Sequence, residues 1–168
     1  MRYFCSAVLP RVWAAVPAAR FQVVGAYPPE VVRRLGDDPG VEVTGRVEDI
    51  IPYYRQSAVF VAPVLQGSGT RLKILEAMAS GCPVVSTTIG AEGLGATDGV
   101  ELLIADSAEA MAAAIVRLLS DPATSAAIAH RARAFVEERF DWDGIAARLV
   151  TTYEAALRDH PVAPSEQP

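Results

Sequence analysis

The run VLQGSGTRLKILEAMASGCPVV, Val64 to Val85, gathers the residues best able to do chemistry. Gly67 and Gly69, with Ser68 between them, let backbone approach a ligand with no Cβ in the way. A helix opening just after them leaves its first N–H groups without partners. The spacing predicts that helix over Thr70–Ser80, stopped by Gly81 and Pro83. Arg71 and Lys73 then fall in its first turn, where the helix dipole disfavours cations. Their placement makes sense if an anion sits on the helix end, and phosphate oxygens are the anion this turn suits. Glu76, one turn deeper, can accept two hydroxyl hydrogen bonds from a ribose. The competing reading is a plain turn followed by a surface Lys73–Glu76 pair contributing about 0.2–0.5 kcal/mol. A lone G-x-G does not decide between them.

Positioning these groups requires a sheet. RFQVVG, VEVTG, AVFVAP and CPVVST are short apolar runs bounded by Gly, Pro or Asp, and ELLIA from Glu101 to Ala105 is a fifth. Such runs alternating with helical stretches predict an α/β fold: a Rossmann-like parallel sheet with helices on both faces. Helices are expected over Pro28–Leu35, Asp49–Gln56, Thr70–Ser80 and Ala108–Ser120. Asp121-Pro122 opens another, running to about Arg139. FDWDGIAARLVTTYEAALRD forms a last amphipathic helix, with Asp141 or Asp143 as its cap. Phe4, Val8, Val12 and Val16 recur every four residues and predict a helix at the start. On a helical wheel Leu72, Leu75, Met78 and Ala79 share an arc that should face the sheet. The glycine turn follows the end of AVFVAP, and ligands of open α/β sheets bind beyond the carboxyl ends of strands.

Composition narrows the class. The 168 residues suit one domain, expected over 1–160, and the proline-rich HPVAPSEQP tail, 161–168 in particular, is expected to fray. With 51% hydrophobic and 21% charged residues the chain is of the globular type. Its net charge of −5 argues against nucleic acid as a partner. Cys5 and Cys82 are read as free thiols of a reducing cytoplasm. The early apolar patch is cut by Pro10 and Arg11, which disfavours a secretion signal, and no run reaches the ~18 apolar residues of a membrane span. His130 and His160 are read as surface or packing residues and Asp98 and Asp106 as turn formers. No metal-ligand cluster, catalytic side chain or bound cofactor is expected.

GSGTRLKILEAMASGCPVVSTTIGAEGL resembles the donor-binding half of family 4 (group 1) retaining glycosyltransferases of the two-Rossmann-domain (GT-B) type, with bacterial envelope and exopolysaccharide sugar transferases as the nearest look-alikes. DPGVEVTGRVEDIIPYY and FDWDGIAARL extend the likeness along the chain. The resemblance implies a nucleotide-sugar donor, a UDP-sugar or GDP-sugar, and an acceptor glycan or lipid in the intact enzyme, with association at a membrane surface. It implies Glu76 on the ribose, and Gly67, Ser68, Gly69, Arg71 and Lys73 around the diphosphate. It also implies Arg46 and Val47 near the nucleobase, and Gly90, Glu92 and Gly93 near the donor sugar. The family's first glutamate falls at Ser68, a departure that leaves its role towards the transferred sugar unassigned. The N-terminal acceptor domain has no counterpart here, nor does the first, central strand of the usual order 3-2-1-4-5-6. That predicts two strands with unpaired backbone edges and a domain inactive by itself. A non-catalytic nucleotide-sugar module and a fragment of a sugar-nucleotide epimerase are the alternatives.

Overall fold

Pro10 has no N–H to give the carbonyl four residues back. Just ahead of it, a wide π turn over Phe4–Val8 precedes α1 (Leu9–Ala15) in the computed structural model, which describes residues 1–67, 69 and 71–159. Phe4, Val8, Leu9 and Val12 are buried, and Val16 falls just outside the helix at its end. β1 (Phe21–Val24) and β2 (Val41–Gly45) follow, joined through α2 (Glu30–Arg33) and a 3₁₀ turn over Arg34–Asp37. α3 (Ile51–Gln56) and β3 (Phe60–Ala62) lead to the glycine turn and α4 (Leu72–Ala79). β4 (Val84–Ser86), α5 (Thr88–Ala91) and β5 (Leu103–Ile104) complete the strands. α6 (Ala108–Ser120) and α7 (Pro122–Arg139) have the expected bounds because their starts are set locally. Ser107 accepts from Ala110 N at 3.1 Å and Asp121 from Thr124 N at 3.1 Å, with Pro122 opening α7.

The parallel α/β class is as expected, but the sheet is not continuous. β1 pairs only with β2, and β3-β4-β5 form a separate three-stranded sheet. β1 and β3 are therefore edges, as the unfilled central position predicts.

Side-chain alternation along the strands feeds two cores. Val85 and Leu103 point to the layer of α1 and α6, with Phe4, Val12, Phe21, Met111 and Ile115. Val84 and Leu102 point to the layer of α4, with Tyr54, Ile74, Leu75 and Met78. β4 is buried along its whole length, as a central strand covered on both faces must be. α7 joins the layers: Ile128 belongs to the first core and Ala132 to the second.

α8 (Trp142–Asp159) is capped by Asp141, whose Oδ2 accepts from the N–H groups of Asp143 and Gly144 at 3.1 and 3.2 Å. Trp142, Leu149, Val150, Tyr153 and Leu157 along it are exposed. The expectations for the tail and for His160 lie outside the described residues. Among the described residues no single helix is long and apolar enough to cross a membrane.

Candidate functional site

The glycine turn is open. Gly67 and Gly69 are exposed and hold φ of +135° and +97°, conformations that favour glycine. Ser68 and Thr70 lie outside the described residues. α4 begins at Leu72 rather than at Thr70, so Arg71 flanks the helix and Lys73 alone of the two cations lies within it. Among the described residues no side chain caps that end, and no acidic residue occupies its first turn. The helix end thus keeps both its dipole and its amides for a ligand.

Arg71 does something the spacing did not reveal. Its Nη2 donates to Gly67 O at 3.0 Å and to Ile89 O at 3.1 Å, binding the glycine turn to α5. Its Nε–H is buried without an acceptor among the described residues, a state that proteins rarely tolerate and that an incoming oxyanion would relieve. Lys73 is exposed and forms no ion pair among the described residues, so the simple Lys73–Glu76 surface pair is not formed.

Glu76 is exposed, and its Oε2 accepts a hydrogen bond from Tyr54 Oη at 3.1 Å. Tyr54 was not singled out in the sequence, because the contact joins α3 to α4 across 22 positions. The tyrosine is 4% exposed and packs edge-on against Phe60, with ring centroids 5.5 Å apart. Burial first, and then the hydrogen bond to Glu76, push its hydroxyl pKa well above the ordinary tyrosine value. It stays protonated and donates, fixing the carboxylate while leaving Oε1 without a partner among the described residues.

The wheel reading needs one correction. Ile74, Leu75, Ala77 and Met78 are the buried face of α4, whereas Leu72 is 60% exposed and Ala79 is exposed. Leu72 stands at the helix start, beside a groove rather than against a strand.

The loop after β4 is held by buried polar groups. Thr87 Oγ1 donates to Val64 O at 2.6 Å and accepts from Gly90 N at 3.0 Å, and Ser86 Oγ donates to Thr87 O at 3.1 Å. Asp106, expected only to form a turn, accepts from Thr88 N and Thr88 Oγ1, each at 2.7 Å. These bonds hold its carboxyl below the ordinary range. Asp98 Oδ1 instead accepts from Ile104 N at 2.7 Å, ahead of β5. Gly90 is buried where a Cβ would collide with Ser86 Oγ and press on Ala62 O at 3.1 Å. Glu92 and exposed Gly93 (φ +79°) follow it. Exposed Arg46 and half-buried Val47 follow β2, in the other sheet. The chain then runs into α3, whose Ile51 N–H is capped by Asp49 Oδ1 at 2.9 Å and whose Tyr54 reaches Glu76; no hydrogen bond joins Arg46 or Val47 to the glycine turn or to Glu76 among the described residues. Among the described residues no group of three potential metal ligands is present.

A Rossmann-like parallel α/β domain, with an open glycine turn after one strand and a buried-polar loop after the next, is the class of protein that this arrangement defines. Residues 1–121 match the model of the family described as Glycosyl transferases group 1, and the chain belongs to that family. It is 32% identical over 154 residues to phosphatidyl-myo-inositol mannosyltransferase of Mycolicibacterium smegmatis, a match covering 88% of this chain and 40% of that protein. Its fold matches sucrose-phosphate synthase of Thermosynechococcus elongatus with a TM-score of 0.76 and 25% identity, over 95% of this chain and 44% of that one. It shares the fold of Anabaena HepE in complex with UDP, with a TM-score of 0.73 and 24% identity over 87% of this chain and 44% of that one. The chain spans less than half the length of the curated relatives it matches.

Proposed function

We propose that the chain is the donor-nucleotide domain of a glycosyltransferase that moves a sugar from a nucleoside-diphosphate sugar to an acceptor glycan or lipid, and that it is inactive without an acceptor-binding domain. The observation that carries this reading is an exposed carboxylate, aimed by Tyr54, one turn beyond an open cationic glycine turn. Glu76 would accept the ribose hydroxyls. Lys73, the Arg71 Nε–H and the amides at the start of α4 would take the diphosphate oxygens. Arg46 and Val47 would flank the base, and Gly90, Glu92 and Gly93 the sugar.

When the bond from the anomeric carbon to the diphosphate oxygen breaks, the departing diphosphate gains negative charge. Cations and amides already aimed there stabilise that charge without reorganising. Lys73 is the exposed cation of the pair, while Arg71 also holds the turn in shape. The family supports sugar transfer, and the UDP carried by Anabaena HepE is consistent with this donor class.

Calorimetric titration with UDP, GDP and their sugar forms tests the reading. Weak, specific binding is expected, lost in Glu76→Ala and reduced about tenfold in Lys73→Ala, the effect of one charge-assisted hydrogen bond. Unchanged affinity in Glu76→Ala, with circular dichroism showing an intact fold, would exclude the ribose role.

A further inference from the structure

β1 lies between the two places that the proposed donor would touch. One side of it pairs with β2, which leads into Arg46 and Val47. Its other side faces β3, which leads into the glycine turn, across a groove lined by residues of both strands. In a parallel Rossmann-like fold the loops after these three strands leave at one end. A nucleotide with its ribose on Glu76 and its base by Arg46 must therefore cross the carboxyl end of β1. Gly25 N donates to Gly45 O at 3.2 Å and fixes that end against the start of the Arg46 loop.

Tyr27 stands at this crossing. It is 84% exposed, and its ring has no aromatic partner among the described residues. Single exposed apolar residues are ordinary on surfaces; the backbone sets this one apart. With φ of +52° it is the one non-glycine residue in the left-handed region among the described residues. That conformation is disfavoured twice, by the residue's own Cβ and by Pro28 after it, since a residue before proline is normally held extended. Glycine would make the same turn without strain. Strain that no packing returns gathers where a side chain serves a ligand.

We propose that Tyr27 is the stacking platform for the base of the donor nucleotide, its ring lying against the heterocycle between the ribose at Glu76 and the Arg46 loop. The inference rests on the donor reading above and adds to it a residue that holds the base. The chemistry suits the position. Every base has a flat π face whatever the pattern of its edge, so an aromatic ring holds it without reading its hydrogen bonds. Pro28 and Pro29 stiffen the loop, which orders the ring before a ligand arrives. Tyr27 thus sets affinity for a base as such, and the choice of base falls to groups at its edge.

The test compares UDP and GDP with ribose 5-diphosphate, which keeps the sugar and the diphosphate but has no base. Calorimetric titrations use the parent chain, Tyr27→Ala, Tyr27→Phe and Tyr27→Gly. The parent should bind UDP and GDP about tenfold more tightly than ribose 5-diphosphate, the effect of one base–aromatic stack. Tyr27→Ala should remove most of that gain and leave ribose 5-diphosphate binding unchanged. Tyr27→Phe should keep the gain, because stacking needs the ring and not the hydroxyl. The uracil H5 and H6 resonances should move upfield on binding to the parent and not to Tyr27→Ala. Tyr27→Gly should lose the gain and unfold at an equal or higher denaturant concentration, since glycine relieves the turn. Three results would overturn the proposal: UDP affinity retained in Tyr27→Ala, an equal loss for ribose 5-diphosphate, or a lower unfolding midpoint in Tyr27→Gly, which would make the ring a prop of the fold. The base-free ligand also separates the two readings. If neither it nor UDP binds, the donor reading falls and this one with it; if it binds as tightly as UDP, the role of Tyr27 falls alone.

Discussion

Tyr54 holds one oxygen of Glu76 and is itself held by burial, so removing only its hydroxyl isolates the aim of the carboxylate from its charge. Tyr54→Phe should lower nucleotide affinity about three- to tenfold, because Glu76 keeps its charge and loses only the hydrogen bond that aims it, with little change in the unfolding midpoint. Comparing calorimetric titrations of the two proteins checks it. At Lys73 the contribution is an exposed charge, so its dependence on salt is diagnostic. The affinity lost in Lys73→Gln should shrink as ionic strength rises from about 0.05 to 0.5 M, because the screening length contracts severalfold over that range. Arg71 should behave differently. Its guanidinium bridges Gly67 and Ile89, so Arg71→Lys keeps the charge but loses the bridge, and amide exchange in both loops should quicken. Cys82 is 1% exposed and burial pushes its thiol up to about 12, so alkylation of the folded chain should leave it unmodified.

At the scale of elements, α5 is pinned at both ends of its first turn. Asp106 accepts two hydrogen bonds from Thr88, and its carboxyl titrates below the ordinary value. A depressed folded-state pKa means the anchor is complete above the ordinary carboxylate range and is lost as pH falls below it. The protection factor of the Thr88 amide, its exchange relative to the intrinsic rate at each pH, should therefore fall on acidification in the parent protein, while Asp106→Asn should show the lower protection already at neutral pH. Gly90→Ala forces a methyl group onto Ser86 Oγ and Ala62 O. A loss of about 1–3 kcal/mol in denaturant unfolding is expected from that overpacking.

What was legible in the residues follows the same division. α6 and α7 have the expected bounds because Ser107, Asp121 and Pro122 act within a turn of themselves. α4 departs from the expected helix at its start: the backbone of Arg71 is not helical (φ −86°, ψ 54°), so the first turn begins at Leu72, which stands beside a groove that a wheel cannot see. The glycine turn, Lys73 and Glu76 could be found from spacing. Tyr54 could not, since only the packing of α3 on α4 brings it to Glu76.

At the scale of the whole molecule the two sheets differ in support. β3-β4-β5 lies between two apolar cores, whereas the β1–β2 ribbon turns Gln22 and Glu42 outward, joined to each other at 2.8 Å. Hydrogen exchange should be faster in β1 and β2 than in β4. Met111, fully buried, packs in the core shared by α1, α6 and both sheets, so Met111→Ala should cost about 2–5 kcal/mol in chemical unfolding. The passage of α7 from Ile128 in one core to Ala132 in the other has a different reach. Because a single rigid rod is shared by both compartments, damage in either is communicated to its neighbour, and the three-stranded half should melt as one cooperative body instead of peeling layer by layer.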